Sequence, residues 1–163
     1  MIHVLIVDDS ATVRQAMRQI LSTAKDLVLD TALDPIFALE KMRKHWPDVI
    51  VLDLEMPRMD GLAFLRKVMA ERPTPTIVCS TLTQAGAATS MEALAAGAVA
   101  VFAKSELNVD THLEGLASEL VRAVRTAAVS RPRALVPRST TSSPRLSADA
   151  ILPPGPAPMQ AWA

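Results

Sequence analysis

Two short apolar runs that both end in acid constrain this chain more than any other feature. His3 to Val7 is closed by Asp8 and Asp9, and Val49 to Leu52 is closed by Asp53. A continuous apolar run of that length, followed by a helical pattern, reads as a strand buried on both faces and feeding a helix. Ligands of open α/β sheets sit outside the carboxyl ends of the strands, so the acids are placed to share one cluster. Close carboxylates repel, and such a cluster persists at neutral pH only by taking up protons or a hard cation. Magnesium suits it, because that ion is commonly held by one or two carboxylates together with a phosphate. The combination points to phosphoryl chemistry in which one carboxylate acts as the nucleophile.

Three further apolar runs, Leu27 to Ala32, Thr76 to Cys79 and Val99 to Phe102, alternate with helical patterns. That alternation predicts an α/β fold, a doubly wound five-stranded parallel sheet with helices on both faces. The first helix carries Val13, Met17, Ile20 and Leu21 at helical spacing behind Ser10 as N-cap, and the second opens with Asp34 then Pro35. Leu62, Leu65 and Met69 give the third an apolar stripe, with Gly61 supplying a tight turn before it. The fourth, Ala87 to Ala96, has only Met91 and Leu94 as large apolar residues and is expected to pack lightly and to be mobile. Thr111 and Glu114 form a capping box for the last helix. Its stripe is Leu113, Leu116, Leu120 and Val124, and it is expected to fray near Ala128.

Composition divides the 163 residues into a domain over 1–128 and a Pro/Arg/Ser-rich segment over 129–163. Seven of the twelve prolines lie between Pro132 and Pro158, so this segment is expected to be a disordered, flexible linker or tail. Formal net charge is zero, and Arg131, Arg133, Arg138 and Arg145 face only Asp149 in the tail, which leaves the domain mildly acidic. Nothing in that balance favours nucleic acid or an anionic membrane. The single cysteine, Cys79, excludes an internal disulfide and reads as inert core. Trp46, before Pro47, reads as a helix-end packing residue. With no signal peptide and no membrane-length apolar stretch, no membrane insertion is expected and the cytoplasm is the expected compartment.

"VDDS" ending the first strand, "LDLEMPRMDG" after the third, "CSTLT" after the fourth and "FAKS" after the fifth together resemble the receiver domain of two-component response regulators. The resemblance covers roughly residues 1 to 128 and implies the flavodoxin-like, CheY-like fold. It implies that Asp53 is the phosphoacceptor, Asp9 a direct magnesium ligand, Asp8 one acting through water, and Glu55 a ligand through its backbone carbonyl. Ser80 and Lys104 would bind phosphoryl oxygens, and Thr81 would border the pocket. Such an assignment is physically sound, because an aspartyl phosphate needs charge neutralised on three oxygens, which a divalent ion, an ammonium and a hydroxyl can do. The implied donor is a phosphohistidine on a sensor histidine kinase of the CheA-like kind.

"DDSATVRQ", "DPIFALEKM", "EMPRMDGLAFLRK" and "STLTQAG" resemble more closely the receiver of the chemotaxis protein-glutamate methylesterase. In that family a linker joins the receiver to a hydrolase domain acting on chemoreceptors, and phosphorylation lifts the receiver's inhibition of the esterase. This chain has no G-x-S-x-G elbow, and none of its histidines, His3, His45 and His112, is placed for a triad, so an esterase is expected to be encoded beyond Ala163 or to be absent. A second reading is a stand-alone single-domain response regulator that binds a separate effector through the fourth helix and fifth strand. A third, a phosphatase with an aspartate nucleophile, is disfavoured, since those enzymes resemble one another in a D-x-D pattern where this chain has Asp8, Asp9 and Ser10 in sequence.

Two positions depart from the receiver pattern. Ser105 follows Lys104 where the family carries a cis proline, and since a cis bond before serine would cost about 2.5–4 kcal/mol, a trans bond is expected. Val101 stands where an aromatic residue ordinarily turns inward on phosphorylation, with Phe102 one step later. Strand alternation points Phe102 to the opposite face, so the aromatic switch is expected to be missing or altered.

Overall fold

The computed structural model describes residues 1–56, 59–81, 83–104 and 113–130. The expected capping box at Thr111, the Lys104–Ser105 bond, the side chains of Leu113 and Leu116, and the tail from 131 on lie outside these residues.

The chain alternates strand and helix throughout: β1 (Ile2–Val7), α1 (Ala11–Leu21), β2 (Leu27–Ala32), α2 (Pro35–Lys44), β3 (Val49–Asp53), a pair of two-residue strands β4 (Glu55–Met56) and β5 (Met59–Asp60), α3 (Gly61–Glu71), β6 (Thr76–Ser80), α4 (Gln84–Ala95), β7 (Ala100–Ala103) and α5 (Leu113–Val129). The five long strands form one sheet, all parallel as expected from the alternation, and their order is β2-β1-β3-β6-β7. The antiparallel pair β4–β5 was not foreseen, and it is too short to leave a periodic signal.

Period-two alternation within each strand divides the apolar residues between two cores. Val4, Ile6, Val49, Val51, Ile77, Cys79 and Phe102 face α1 and α5, where Met17, Leu21, Leu120 and Val124 close the layer. Leu5, Val7, Ile50, Leu52 and Val78 face the other way, against Met42 of α2, Leu62, Leu65 and Met69 of α3, and Ala93 of α4. Every residue of β3 is buried, which is why its run reads as uniformly apolar rather than alternating.

The predicted caps form. Ser10 accepts from the Val13 amide and Asp34 from the Phe37 amide, with Pro35 in the first turn. Asp60 caps α3 and Thr83 caps α4, two signals the sequence reading did not use. Three expectations are corrected. Gly61 does not serve a positive-φ turn; a Cβ there would stand 2.6 Å from the Asp53 carbonyl oxygen, so close approach of backbone is what requires glycine. Helix α4 starts at Gln84 instead of Ala87; Met91 and Leu94 on it are exposed, in keeping with the light packing expected, and Gly86, Ser90 and Ala93 form the buried face. Finally, β7 runs from Ala100 instead of Val99, with the Val99 amide bonding the Thr76 carbonyl just ahead of it.

Trp46 packs at the end of α2 as expected, its indole donating to Thr74 Oγ1 at 2.7 Å beneath the Arg72 guanidinium. α5 continues through Val129, one residue beyond the expected fraying point. Among the described residues no helix is long and apolar enough to cross a membrane.

Candidate functional site

The register of the sheet brings the acids together. Val7 pairs with Leu52, so the residues that follow them, Asp8 and Asp53, leave adjacent strands side by side at the carboxyl edge. Strands β3 and β6 each run one residue further than the apolar pattern suggests, because Asp53 and Ser80 still pair in the ladder, with Cys79 and Ala103. Lys104 follows Ala103 directly.

One oxygen of each buried carboxylate is fixed by a backbone amide two residues on, an arrangement typical of aspartate at a turn. Asp8 Oδ1 accepts from the Ser10 amide at 2.9 Å, and Asp53 Oδ1 accepts from the Glu55 amide at 3.0 Å. The two remaining oxygens, Asp8 Oδ2 and Asp53 Oδ2, are buried without a hydrogen-bond partner. Lys104 Nζ lies 3.2 Å from Asp53 Oδ2 and 3.7 Å from Asp8 Oδ2, so charge attraction, rather than an aligned hydrogen bond, holds the ammonium there.

Carboxylate oxygens of Asp8, Asp9 and Asp53 all fall within 4.8 Å of one another, with Asp9 on the solvent side. Buried carboxylate oxygens that lack a donor and converge with a third acid form an all-oxygen set of the kind hard divalent cations take, so the residues fit a metal ion. Burial pushes the Asp8 carboxyl up to about 6, against the Ser10 amide that pulls it down; the neighbouring Asp53 charge adds to the rise and Lys104 opposes it. Burial alone would lower the Lys104 pKa, but the charges of Asp53 and Asp8 outweigh it and raise the ammonium above its ordinary value.

Around this pocket the remaining expected residues are brought in, with one difference. Ser80 is buried beside it, and Thr81 borders it, half-buried. Glu55, expected to contribute only its backbone carbonyl, also uses its side chain: Oε2 accepts from the Thr81 amide at 3.0 Å, Thr81 Oγ1 lies 3.0 Å from both carboxylate oxygens, and Ser80 Oγ is 3.3 Å from Oε2. The limited desolvation of this exposed side chain would raise the Glu55 pKa, but these donors outweigh it and hold the carboxyl below its usual range.

Two more contributors escaped the sequence reading. Arg14, on the first turn of α1, donates to the Asp8 carbonyl at 2.7 Å and ties down the loop that carries the acids. Gly86 lets the start of α4 press against Ser80 and Thr81, where a Cβ would come within 2.5 Å of the Thr81 carbonyl oxygen. A basic residue six positions past the strand-end acid was the only available signal for the first, and the second has none.

The switch positions follow strand alternation: Val101 is exposed and Phe102 is buried in the core facing α1 and α5. Cys79 is fully buried, and burial pushes its thiol up, which keeps it unreactive.

Residues 4–112 match the response regulator receiver domain family. The chain is 54% identical over 159 residues to the protein-glutamate methylesterase/protein-glutamine glutaminase 2 of Hahella chejuensis, covering 93% of this chain and 43% of that protein. It is also 54% identical over 153 residues to the protein-glutamate methylesterase/protein-glutamine glutaminase 1 of Xanthomonas oryzae pv. oryzae, covering 91% and 44%. The chain therefore spans less than half the length of these curated relatives. Among solved structures, it superimposes on the response regulator domain of Thermotoga maritima CheB with a TM-score of 0.70 at 37% identity, covering 81% of this chain and 99% of that one. The Vibrio cholerae chemotaxis protein CheY4 follows the same fold, with a TM-score of 0.62 at 32% identity, covering 76% and 98%.

Proposed function

Because this chain belongs to the response regulator receiver domain family, we propose that Asp53 accepts a phosphoryl group from a histidine kinase of the CheA-like kind and that the modified domain regulates a methylesterase. The observation that carries the reading is the Asp53 carboxylate itself: buried, one oxygen fixed by the Glu55 amide, the other unpartnered and facing Lys104. In the transfer, the Asp53 carboxylate forms a bond to phosphorus as the phosphorus–nitrogen bond of a phosphohistidine breaks, and the electron pair stays on the imidazole nitrogen.

Asp8, Asp9 and Asp53, with the Glu55 backbone carbonyl, would hold Mg2+, which supplies charge neutralisation at the phosphoryl oxygens when bound. Lys104 neutralises a further oxygen from its place against Asp53, and Ser80 supplies a hydroxyl. The protein's part is positioning and electrostatic stabilisation, which carry most of phosphoryl-transfer catalysis.

The output is the hydrolysis of receptor glutamate methyl esters by a hydrolase domain, linked through the segment 129–163 or acting separately, in the cytoplasm. Its similarity to full-length methylesterases over the receiver portion supports that reading. Exposed Met91 and Leu94 of α4, with Val99 just ahead of β7 and Val101 within it, supply apolar surface on which either a linked domain or a separate partner can dock. The test is acetyl phosphate, or beryllofluoride, with Mg2+: wild type is modified or occupied, whereas Asp53→Asn is not. Equal reaction of both proteins would refute the assignment.

A further inference from the structure

The Ser80 hydroxyl, needed for the phosphoryl group in the reading above, is already committed within the protein. Its oxygen lies 3.0 Å from the Gly86 carbonyl oxygen, 3.2 Å from that of Thr81 and 3.3 Å from Glu55 Oε2, so three acceptors compete for its single proton. The same Glu55 carboxylate receives the Thr81 amide and the Thr81 hydroxyl, each at 3.0 Å. Beyond Thr81 the contacts continue. Thr81 Oγ1 is 3.0 Å from Thr83 Oγ1, and Thr83 in turn caps α4 by accepting from the Gly86 amide at 2.9 Å. One side chain, from the start of β4, therefore pins the end of β6 and, through two hydroxyls, the start of α4.

From this juxtaposition we propose that Glu55 is a positioning residue that latches the β6–α4 junction in its resting arrangement, and that a phosphoryl group on Asp53 releases the latch. The proposal rests on Asp53 being the phosphoacceptor. The Glu55 amide is hydrogen-bonded to the Asp53 carboxylate, so the acyl phosphate, with about −1.5 to −2 where the carboxylate carried −1, adds roughly one unit of negative charge two residues from the Glu55 carboxylate. Like charges at that separation favour outward movement of the glutamate. The phosphoryl oxygens are also charged acceptors, stronger than the neutral carbonyls of Gly86 and Thr81 that Ser80 now has. Once Ser80 turns to the phosphoryl group, Glu55 loses one of its donors. Its weakened hold on Thr81 passes to Thr83 and so to the N-terminus of α4. This route uses polar contacts only, and it gives a domain with Val101 at the usual aromatic position a way to carry the change outward.

The experiment compares beryllofluoride affinity at saturating Mg2+ in wild type, E55Q and E55A, together with amide NMR spectra of the free proteins. Removing the latch raises affinity roughly tenfold in E55A, as expected for loss of a charge-assisted hydrogen-bond set, and roughly threefold in E55Q, which keeps an acceptor oxygen. In free E55A the Thr81 and Gly86 amide signals move toward their positions in the beryllofluoride-bound wild type. In an S80A background the affinity gain from E55A disappears, because no hydroxyl remains to be freed. A gain of undiminished size there means that Glu55 acts only as a nearby charge and overturns the latch, as do unchanged affinity or unmoved Thr81 and Gly86 signals. Failure of wild type to bind beryllofluoride with Mg2+ is a separate result; it overturns the phosphoacceptor reading, and the latch with it.

Discussion

At Asp8, burial and charge conflict most directly. The side chain is buried beside a second carboxylate, and the single ammonium of Lys104 serves both. The fold therefore favours its acid form between the ordinary value of 3.8 and about 6. Across that window the folded state binds more protons than the unfolded chain, so the contribution of Asp8 to stability is full at low pH and is lost as pH rises through about 6. Compared with Asp8→Asn, the metal-free wild type should lose roughly 1 to 3 kcal/mol between pH 4 and pH 7 in urea unfolding, each pKa unit being worth about 1.4 kcal/mol. Equal pH profiles for the two proteins would show that Asp8 is not perturbed. The same proton competes with a cation, so Mg2+ affinity should fall as pH is lowered through about 6, and calorimetric titration at pH 5 and pH 7.5 measures this directly.

At the scale of elements, α4 is where the apolar pattern and the packing disagree. Its large side chains, Met91 and Leu94, face outward, while Gly86, Ser90 and Ala93 approach the sheet. The helix can sit close only because its inner face is small. Ala93→Leu should therefore cost about 1–3 kcal/mol through overpacking against the α3 side of the core. Met91→Ser should change stability by no more than about 0.5 kcal/mol, as for other surface positions. Chemical denaturation of the two variants decides the point, and a reversed order would mean that α4 packs through its large residues after all. The third helix behaves in the ordinary way: Leu62, Leu65 and Met69 are all buried, so there the periodic stripe was a sound guide.

For the whole molecule, the native state carries an acidic pocket that its own lysine does not fully neutralise. A divalent cation that binds the folded domain and not the unfolded chain stabilises it by mass action, by about 2.7 kcal/mol at a concentration one hundred times Kd. Mg2+ should accordingly raise the urea midpoint of wild type without changing the slope, and EDTA should reverse the shift. Asp53→Asn should respond far less. A midpoint insensitive to Mg2+ would exclude the metal site. If an esterase domain is attached, a switch between mostly closed and mostly open states requires roughly 5 kcal/mol, near ten-thousandfold in the closed-to-open equilibrium and about a hundredfold in rate, and the Val101 and Ser105 departures point to a smaller, graded response.

The amino-acid order determined the parallel sheet, its five strands, the caps at Ser10 and Asp34, and the identity of the acids, because these follow from local periodicity and from residue types adjacent in the chain. Five apolar runs separated by helices leave little choice of architecture, and an acid at the end of a buried run is visible without coordinates. What the tertiary structure alone decided is how side chains from separate loops meet. That Glu55 turns its carboxylate onto Ser80 and Thr81, that Gly61 is needed for backbone approach to Asp53, and that α4 packs through alanine and glycine all depend on sheet register and interlayer distance. Those quantities are set by the packing of residues far apart in sequence, and no local pattern encodes them.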